Sequence, residues 1–329
     1  MSRAVCFALA AFAVTVYAQL QPTDPVMGIF TDTPAEFVRK PPNGQNHLVE
    51  AYYPHWLATA GIRSIPIPWN ATWEVQLDLL KKVNGVLFPG GDLMGEGRED
   101  YFGYVQKVFD QAVAWNRAGD PFVIWGTCQG YQIVCACAAR NISVIEPGFV
   151  GVDGLMMSLN FTSAQPTSRM FGVNTTREEI LNIFATENST LNWHSLGVTP
   201  SGFDQNPAMG KMLSVLSTNT DLAGRVFTSA VEGKDGLSIY ATQFHPERPL
   251  FELNSRRVGH TVGDIKVSQW LALFIKEQLQ RNNHTFPTPE EAEAHSIHNY
   301  PIVNYGENSE LYWIQYPPRE HDAVDGEEF

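Results

Sequence analysis

The sequence has 329 residues, 44% of them hydrophobic and 17% charged, as in an ordinary globular protein with a core of its own. Its formal net charge of −13 argues against broad nucleic-acid binding, because phosphate backbones are held by basic surfaces. No run after the first few residues is long and apolar enough for a membrane helix, so no membrane partner is expected.

The N-terminus reads as a secretory leader. Arg3 supplies a short basic region, and Ala4 to Val16 is apolar but too short to span a bilayer. Val16-Tyr17-Ala18 fits a small-residue cleavage site, so residues 1–18 are expected to be removed. The expected location is the secretory pathway, ending outside the cell or in a lysosome or vacuole. Six N-x-S/T sequons, at Asn70, Asn141, Asn160, Asn174, Asn188 and Asn283, agree with that and are glycosylation candidates. Cys6 would leave with the leader. Cys128, Cys135 and Cys137 remain, an odd number that suggests a reactive thiol or an intermolecular bond. Cys135 and Cys137 read as packing residues. With no His at ligand spacing nearby, no metal site is expected.

Val26 to Phe30 predicts a first strand, with Asp32, Thr33 and Pro34 in the loop after it. His47 to Ala60 predicts a helix stopped by Gly61, and Arg63 to Ile67 a strand. Trp73 to Val83 is amphipathic. Gly85 to Phe88 predicts a buried strand that runs into Pro89-Gly90-Gly91, and Tyr101 to Ala118 a long helix. Strands alternating with helices at this spacing imply βαβ units. The expected fold is α/β: a mainly parallel central sheet with helices on both faces, in three layers. Chemistry in such a sheet sits at the carboxyl ends of the strands.

The next stretch, Phe122 to Gln132, organises the rest. An apolar run, Phe122 to Trp125, leads into Gly126-Thr127-Cys128-Gln129-Gly130, and a helix is predicted from Tyr131 to Arg140. Strand, Gly-flanked turn and helix make the geometry of a nucleophile elbow, with Cys128 at the nucleophile position. The free N–H groups at a helix start favour a thiolate there. Read alone, the pattern is also compatible with a small buried Cys in a Gly-rich turn.

From Ile142 the order of elements is hard to read. Lys211 to Leu216, Arg225 to Val231 and Leu237 to Phe244 predict strands, the last two a hairpin, and Val267 to Leu279 a closing helix. Residues 19–282 are taken as the catalytic domain. Residues 283–329 are taken as an acidic C-terminal appendage, partly ordered at best.

A thiolate needs a base, and the base an orienter. His245 ends the last predicted strand in Gln243-Phe244-His245-Pro246-Glu247. His245 and Glu247 lie on one face of an extended chain, stiffened by Pro246 between them. A carboxylate there fixes the tautomer and favours the imidazolium.

The order Phe88-Pro89-Gly90-Gly91, Gly126-Thr127-Cys128-Gln129-Gly130, His245-Pro246-Glu247 resembles class I glutamine amidotransferase-like domains. Within them the chain resembles the γ-glutamyl hydrolase (folate γ-glutamyl hydrolase) family. The narrower likeness rests on Asn84 to Asp92, Trp125 to Gly130, Leu159-Asn160-Phe161-Thr162, Ser168-Arg169-Met170-Phe171 and Thr218-Asn219-Thr220-Asp221, and it covers about Val26 to Gln280. The usual Tyr-rich start of the first helix departs here, reading Gln45 to Glu50. The resemblance implies Cys128 as nucleophile, His245 as base and Glu247 as the third member. It also implies His194 beside the site, among the substrate-binding residues.

The expected reaction is hydrolysis of γ-glutamyl amides in poly-γ-glutamates, as on folates, through a thioester. Backbone N–H groups of Gly91 and Gln129 would hold the oxyanion, and Gly90 would let the substrate approach closely. The anionic substrate needs local cations, for which Arg169 and Arg248 are candidates. No cofactor is expected, and a homodimer is compatible with the resemblance. The alternatives are a glutaminase or other γ-glutamyl amidase, or a secreted binding protein without activity.

Overall fold

The computed structural model describes residues 24–32, 46–91, 99–304 and 310–316. The predicted leader with Cys6, Thr33 and Pro34, and the acidic stretch Glu320 to Glu328 lie outside them. The first half of the chain forms β1 (Val26–Phe30), β2 (His47–Glu50), α1 (Tyr52–Ala58), β3 (Arg63–Ile67), α2 (Trp73–Leu80), β4 (Gly85–Phe88), α3 (Glu99–Arg117), β5 (Val123–Thr127) and α4 (Gln129–Ala139). The second half begins with the shorter elements β6 (Glu146–Pro147), β7 (Asp153–Met157), β8 (Asn160–Phe161), α5 (Glu178–Thr186), β9 (Thr190–Trp193), β10 (Leu196–Gly197) and α6 (Pro200–Gln205). It continues through α7 (Pro207–Met212), β11 (Leu213–Thr220), β12 (Val226–Gly233), β13 (Ile239–Thr242) and α8 (Val262–Leu279) to α9 (Pro289–Ala294), β14 (Ile302–Asn304) and β15 (Glu310–Ile314).

The central sheet has the order β3-β1-β4-β5-β13-β12-β11-β8. The five strands from β3 to β13 are parallel, and the remaining three run antiparallel in turn. The two-residue alternation of strands divides the core in two. Val86, Phe88, Ile124 and Ile239 pack with residues of α2, α3 and α4. Met27, Leu87, Trp125 and Tyr240 pack with residues of α1, α5 and α8 on the other face. Both faces being covered explains why the parallel strands read as unbroken apolar runs. Among the described residues, no helix is long and apolar enough to cross a membrane.

The structure corrects three expectations. The predicted helix from His47 is a strand followed by a helix. β2 pairs antiparallel with β15, and α1 starts only at Tyr52. That start puts Pro54 in the first helical turn, where its missing N–H costs nothing; a helix from His47 would have buried it mid-element. The predicted strand at Lys211 begins at Leu213, after α7, whose N-cap Asn206 accepts from Met209 N–H at 3.0 Å. Finally, the region after residue 282 is not a loose appendage throughout. Phe286, Ala292, Ile297 and Leu311 to Ile314 are buried against the rest of the chain.

Candidate active site

Strand register assembles the site. Phe88 of β4 lies beside Gly126 of β5, and Thr127 beside Thr242 of β13. The three strands therefore end at one level, and Gly90-Gly91, Cys128 and His245 follow within three residues of those ends. The Cys128 N–H donates to Thr242 O at 2.8 Å, extending the ladder into the turn.

The two elbow glycines are fixed by close approach. A β-carbon on Gly130 would lie 1.9 Å from Phe88 O, and one on Gly126 2.5 Å from Gly130 O. No side chain fits at either place. Between them Cys128 is held at φ 53°, ψ −107°, a strained backbone for a residue with a β-carbon. The strain lifts the sulfur off the sheet at the start of α4, where Sγ contacts Trp193 O at 3.6 Å.

His245 and Cys128 converge on Gly90. A β-carbon on Gly90 would sit 2.9 Å from His245 Cε1 and 3.3 Å from Cys128 Cβ. His245 Nδ1–H donates to Glu247 Oε1 at 2.7 Å, which leaves Nε2 for the sulfur. The predicted strand ends at Thr242 rather than Phe244, and His245 is held instead by its N–H, which donates to Leu191 O at 2.8 Å. Both side chains are buried. Burial alone would favour the neutral ring, but the Glu247 carboxylate and then Cys128 raise the His245 pKa to about 10.

The charge on Glu247 is held in turn by a buried cage. Arg248 Nη1 donates to Glu252 at 2.6 Å, and Nη2 to both oxygens of Glu50 at 3.1 and 3.2 Å. Arg248 Nε lies 3.6 Å from Glu247 Oε1. Its guanidinium packs over the rings of Tyr52 and Trp193. Burial opposes the arginine charge, but Glu50, Glu252 and Glu247 hold it well above its ordinary value. The cation proposed for substrate binding is thus engaged within the protein.

The other predicted residues divide. His194 is buried, and its Nδ1–H donates to Leu196 O at 2.8 Å. Burial lowers its pKa to about 4, with His245 adding in the same direction, so the ring is neutral and Nε2 is a bare acceptor. Gly91 has φ +156°, and a β-carbon there would lie 3.1 Å from Asp32 Oδ2 and 3.4 Å from Gln129 Oε1. Gly90, Gly91, Gln129 and His194 therefore all belong to the neighbourhood of Cys128. Arg169 does not. It pairs with Glu232, donates to Gly233 O at 2.8 Å and Leu237 O at 2.6 Å, and so sits at the amino end of β13, across the sheet from Cys128. Cys135 and Cys137 are buried in α4, and burial raises both thiol pKa values. All six sequon asparagines are exposed.

Sequence reasoning missed Glu50, Glu252, Tyr53 and Trp193. The four-residue spacing of Arg248 and Glu252 was the one available signal. The others reach the site through pairings that no local pattern records.

The glutamine amidotransferase class-I family model matches residues 49–256. The chain is 31% identical to human gamma-glutamyl hydrolase over 284 residues, covering 86% of each chain. It is 30% identical to gamma-glutamyl hydrolase B of Dictyostelium discoideum, covering 84% of this chain and 78% of that one. With gamma-glutamyl hydrolase 1 of Arabidopsis thaliana the identity is 28%, covering 77% and 70%. With its mostly parallel sheet and an elbow at the carboxyl ends of the strands, this chain is a hydrolase that belongs to the γ-glutamyl hydrolase family, within the class I glutamine amidotransferase fold.

Proposed function

We propose that this chain hydrolyses γ-glutamyl amide bonds of poly-γ-glutamates, folylpoly-γ-glutamates among them, with Cys128 as nucleophile. The observation that carries the reading is the convergence of Cys128 and His245 on Gly90, with Glu247 bonded to His245 Nδ1. The Cys128 proton passes to His245 Nε2, and the thiolate adds to the γ-carbonyl. The oxyanion is taken up by the N–H groups of Gly91 and Gln129. His245 gives its proton to the departing nitrogen as the carbon–nitrogen bond breaks, leaving a thioester. Water, deprotonated by His245, then cleaves the thioester, releasing the carboxylate and restoring the thiol. His194, with one bare nitrogen, accepts from a substrate N–H. This chemistry asks for no metal or organic cofactor.

The leader and the six exposed sequons support a glycoprotein of the secretory pathway, outside the cell or in a lysosome or vacuole. A homodimer is part of the same reading and is checked by sedimentation.

The test compares wild type with Cys128→Ala on folate pentaglutamate, with products resolved by length. Shortened folates and free glutamate or its γ-linked oligomers are expected from wild type. Cys128→Ala should lose about 10⁴-fold or more in turnover. Ammonia release from glutamine in place of these products would assign the site to glutaminase chemistry. Undiminished turnover by Cys128→Ala would remove the nucleophile.

A further inference from the structure

We propose that Tyr53 is a positioning residue for the reaction: its phenol oxygen fixes the Gly90-Gly91 turn so that the Gly91 N–H meets the developing oxyanion. The inference rests on the acyl-transfer reading above and adds the part that holds the oxyanion donor in place.

The turn has a mechanical problem. Gly90 can carry no side chain, because a β-carbon there would lie 2.8 Å from Tyr53 Oη, 2.9 Å from His245 Cε1 and 3.3 Å from Cys128 Cβ. A residue that must be Gly for space is also the least restrained by its own backbone. Strand pairing does not restrain it either, since β4 ends at Phe88 and the register with β5 ends at Phe88–Gly126. The Gly90 N–H is buried beyond the ladder and needs an acceptor.

Tyr53 supplies it. Gly90 N–H donates to Tyr53 Oη at 2.7 Å. The ring is fully buried and packs in the same core as Trp56 and Leu57 of α1. Trp56 Nε1–H in turn donates to Ser268 O at 3.0 Å, and Ser268 Oγ–H donates to Pro246 O at 2.5 Å. Helices α1 and α8 thus hold both the Gly90-Gly91 turn and the His245-Pro246-Glu247 segment. Burial, with Glu247 and Glu50 nearby, keeps the phenol protonated, so the acceptor does not change with pH. The peptide after Gly90 carries the Gly91 N–H. Fixing Gly90 therefore fixes the direction of that donor, and small misplacements of such groups are costly in rate.

The test is Tyr53→Phe, which keeps the ring and removes the acceptor. Three readouts separate positioning from folding or thiol activation. The kcat on folate pentaglutamate should fall about ten- to hundred-fold with KM changed less than about threefold, since the interaction acts on transition-state charge. Alkylation of Cys128 by iodoacetamide forms no oxyanion, so its rate and pH profile should match wild type. Amide hydrogen exchange in a peptide covering residues 85–91 should quicken. A kcat within about twofold of wild type overturns the proposal. Alkylation falling in step with kcat also overturns it, because Tyr53 would then act on the thiol–imidazole pair or the fold. Tyr53→Leu, which also removes ring packing, should be thermally destabilised more than Tyr53→Phe, which strands only the Gly90 N–H. Wild type that is alkylated but releases no glutamate would refute the substrate reading instead. Exchange at residues 85–91 would still decide whether the phenol anchors the turn.

Discussion

At the amino ends of the strands, Asn84 Oδ1 accepts from Val26 N–H at 2.8 Å, and its Nδ2 donates to Asn282 Oδ1 at 2.9 Å and His284 O at 3.0 Å. Asn282 answers with a donation to Asn84 O at 2.8 Å, and His284 pairs with Asp120 at 2.8 Å. At the carboxyl ends the same kinds of group are left short. Glu247 Oε2, Glu252 Oε1 and His194 Nε2 are buried without a hydrogen-bond partner among the described residues, and Cys128 is strained. Each buried unsatisfied group costs about 1–3 kcal/mol. One end of the sheet uses its polar groups to close the chain on itself. The other leaves buried polar groups unsatisfied beside a strained cysteine, as sites of chemistry often do.

The sharpest way to break this contrast is Glu247→Gln. It keeps the volume and removes the charge that holds the His245 proton, so kcat/KM should fall on the order of 10²–10³-fold. Stability should respond as well. The His245 pKa is raised from 6.5 to about 10 in the folded protein, so its contribution is fully present below about 6.5 and is lost as pH rises through about 10. In Glu247→Gln that loss should begin at lower pH. Denaturant titrations over pH, with ring proton signals from NMR, read both. An unmoved alkaline limb would mean that the carboxylate does not hold the proton.

Asn84→Ala tests the opposite end. It strands the Val26 N–H and removes the donor to Asn282 Oδ1 and His284 O, so unfolding free energy should drop by about 2–4 kcal/mol. Turnover should stay within about twofold of wild type. A loss of kcat comparable to that of Glu247→Gln would show that the two ends are not separable. The smallest expected effect is from Cys128→Gly. Relief of the positive-φ strain should stabilise it by about 1 kcal/mol relative to Cys128→Ala, with both inactive. Equal melting temperatures would mean that the turn stores no strain.

Much of this contrast was legible in the sequence where it depends on neighbours. Strands β1, β3 and β4 begin and end where the sequence predicts them, and the elbow announces itself in five residues, because a tight turn needs Gly at fixed offsets. Cys128 and His245 could be paired in advance because each follows a predicted strand and Glu247 stands two residues beyond His245. What stayed hidden depends on distant partners. His47 to Glu50 takes its strand conformation from β15, so local helix preference was outvoted. Arg248 looked like a free cation because Glu50 reaches it from 198 residues away in sequence. Arg169 was misplaced because its motif says nothing of which end of the sheet it occupies. The irregular stretch after Ile142 gave weak signals because β6, β8 and β10 are only two residues long.

The pairing of β2 with β15 has a consequence for how the molecule is made. His47 and Ile314 are partners although 314 − 47 = 267 residues separate them, and Ala51 N–H donates to Glu310 O at 2.8 Å just after the β2 residue Glu50. On the ribosome, a chain grown only as far as Glu247 already contains Cys128, His245 and Glu247, the proposed catalytic groups. It still lacks the strand that seats Glu50 beneath Arg248. The nascent enzyme is therefore unfinished until residue 314 has been synthesised.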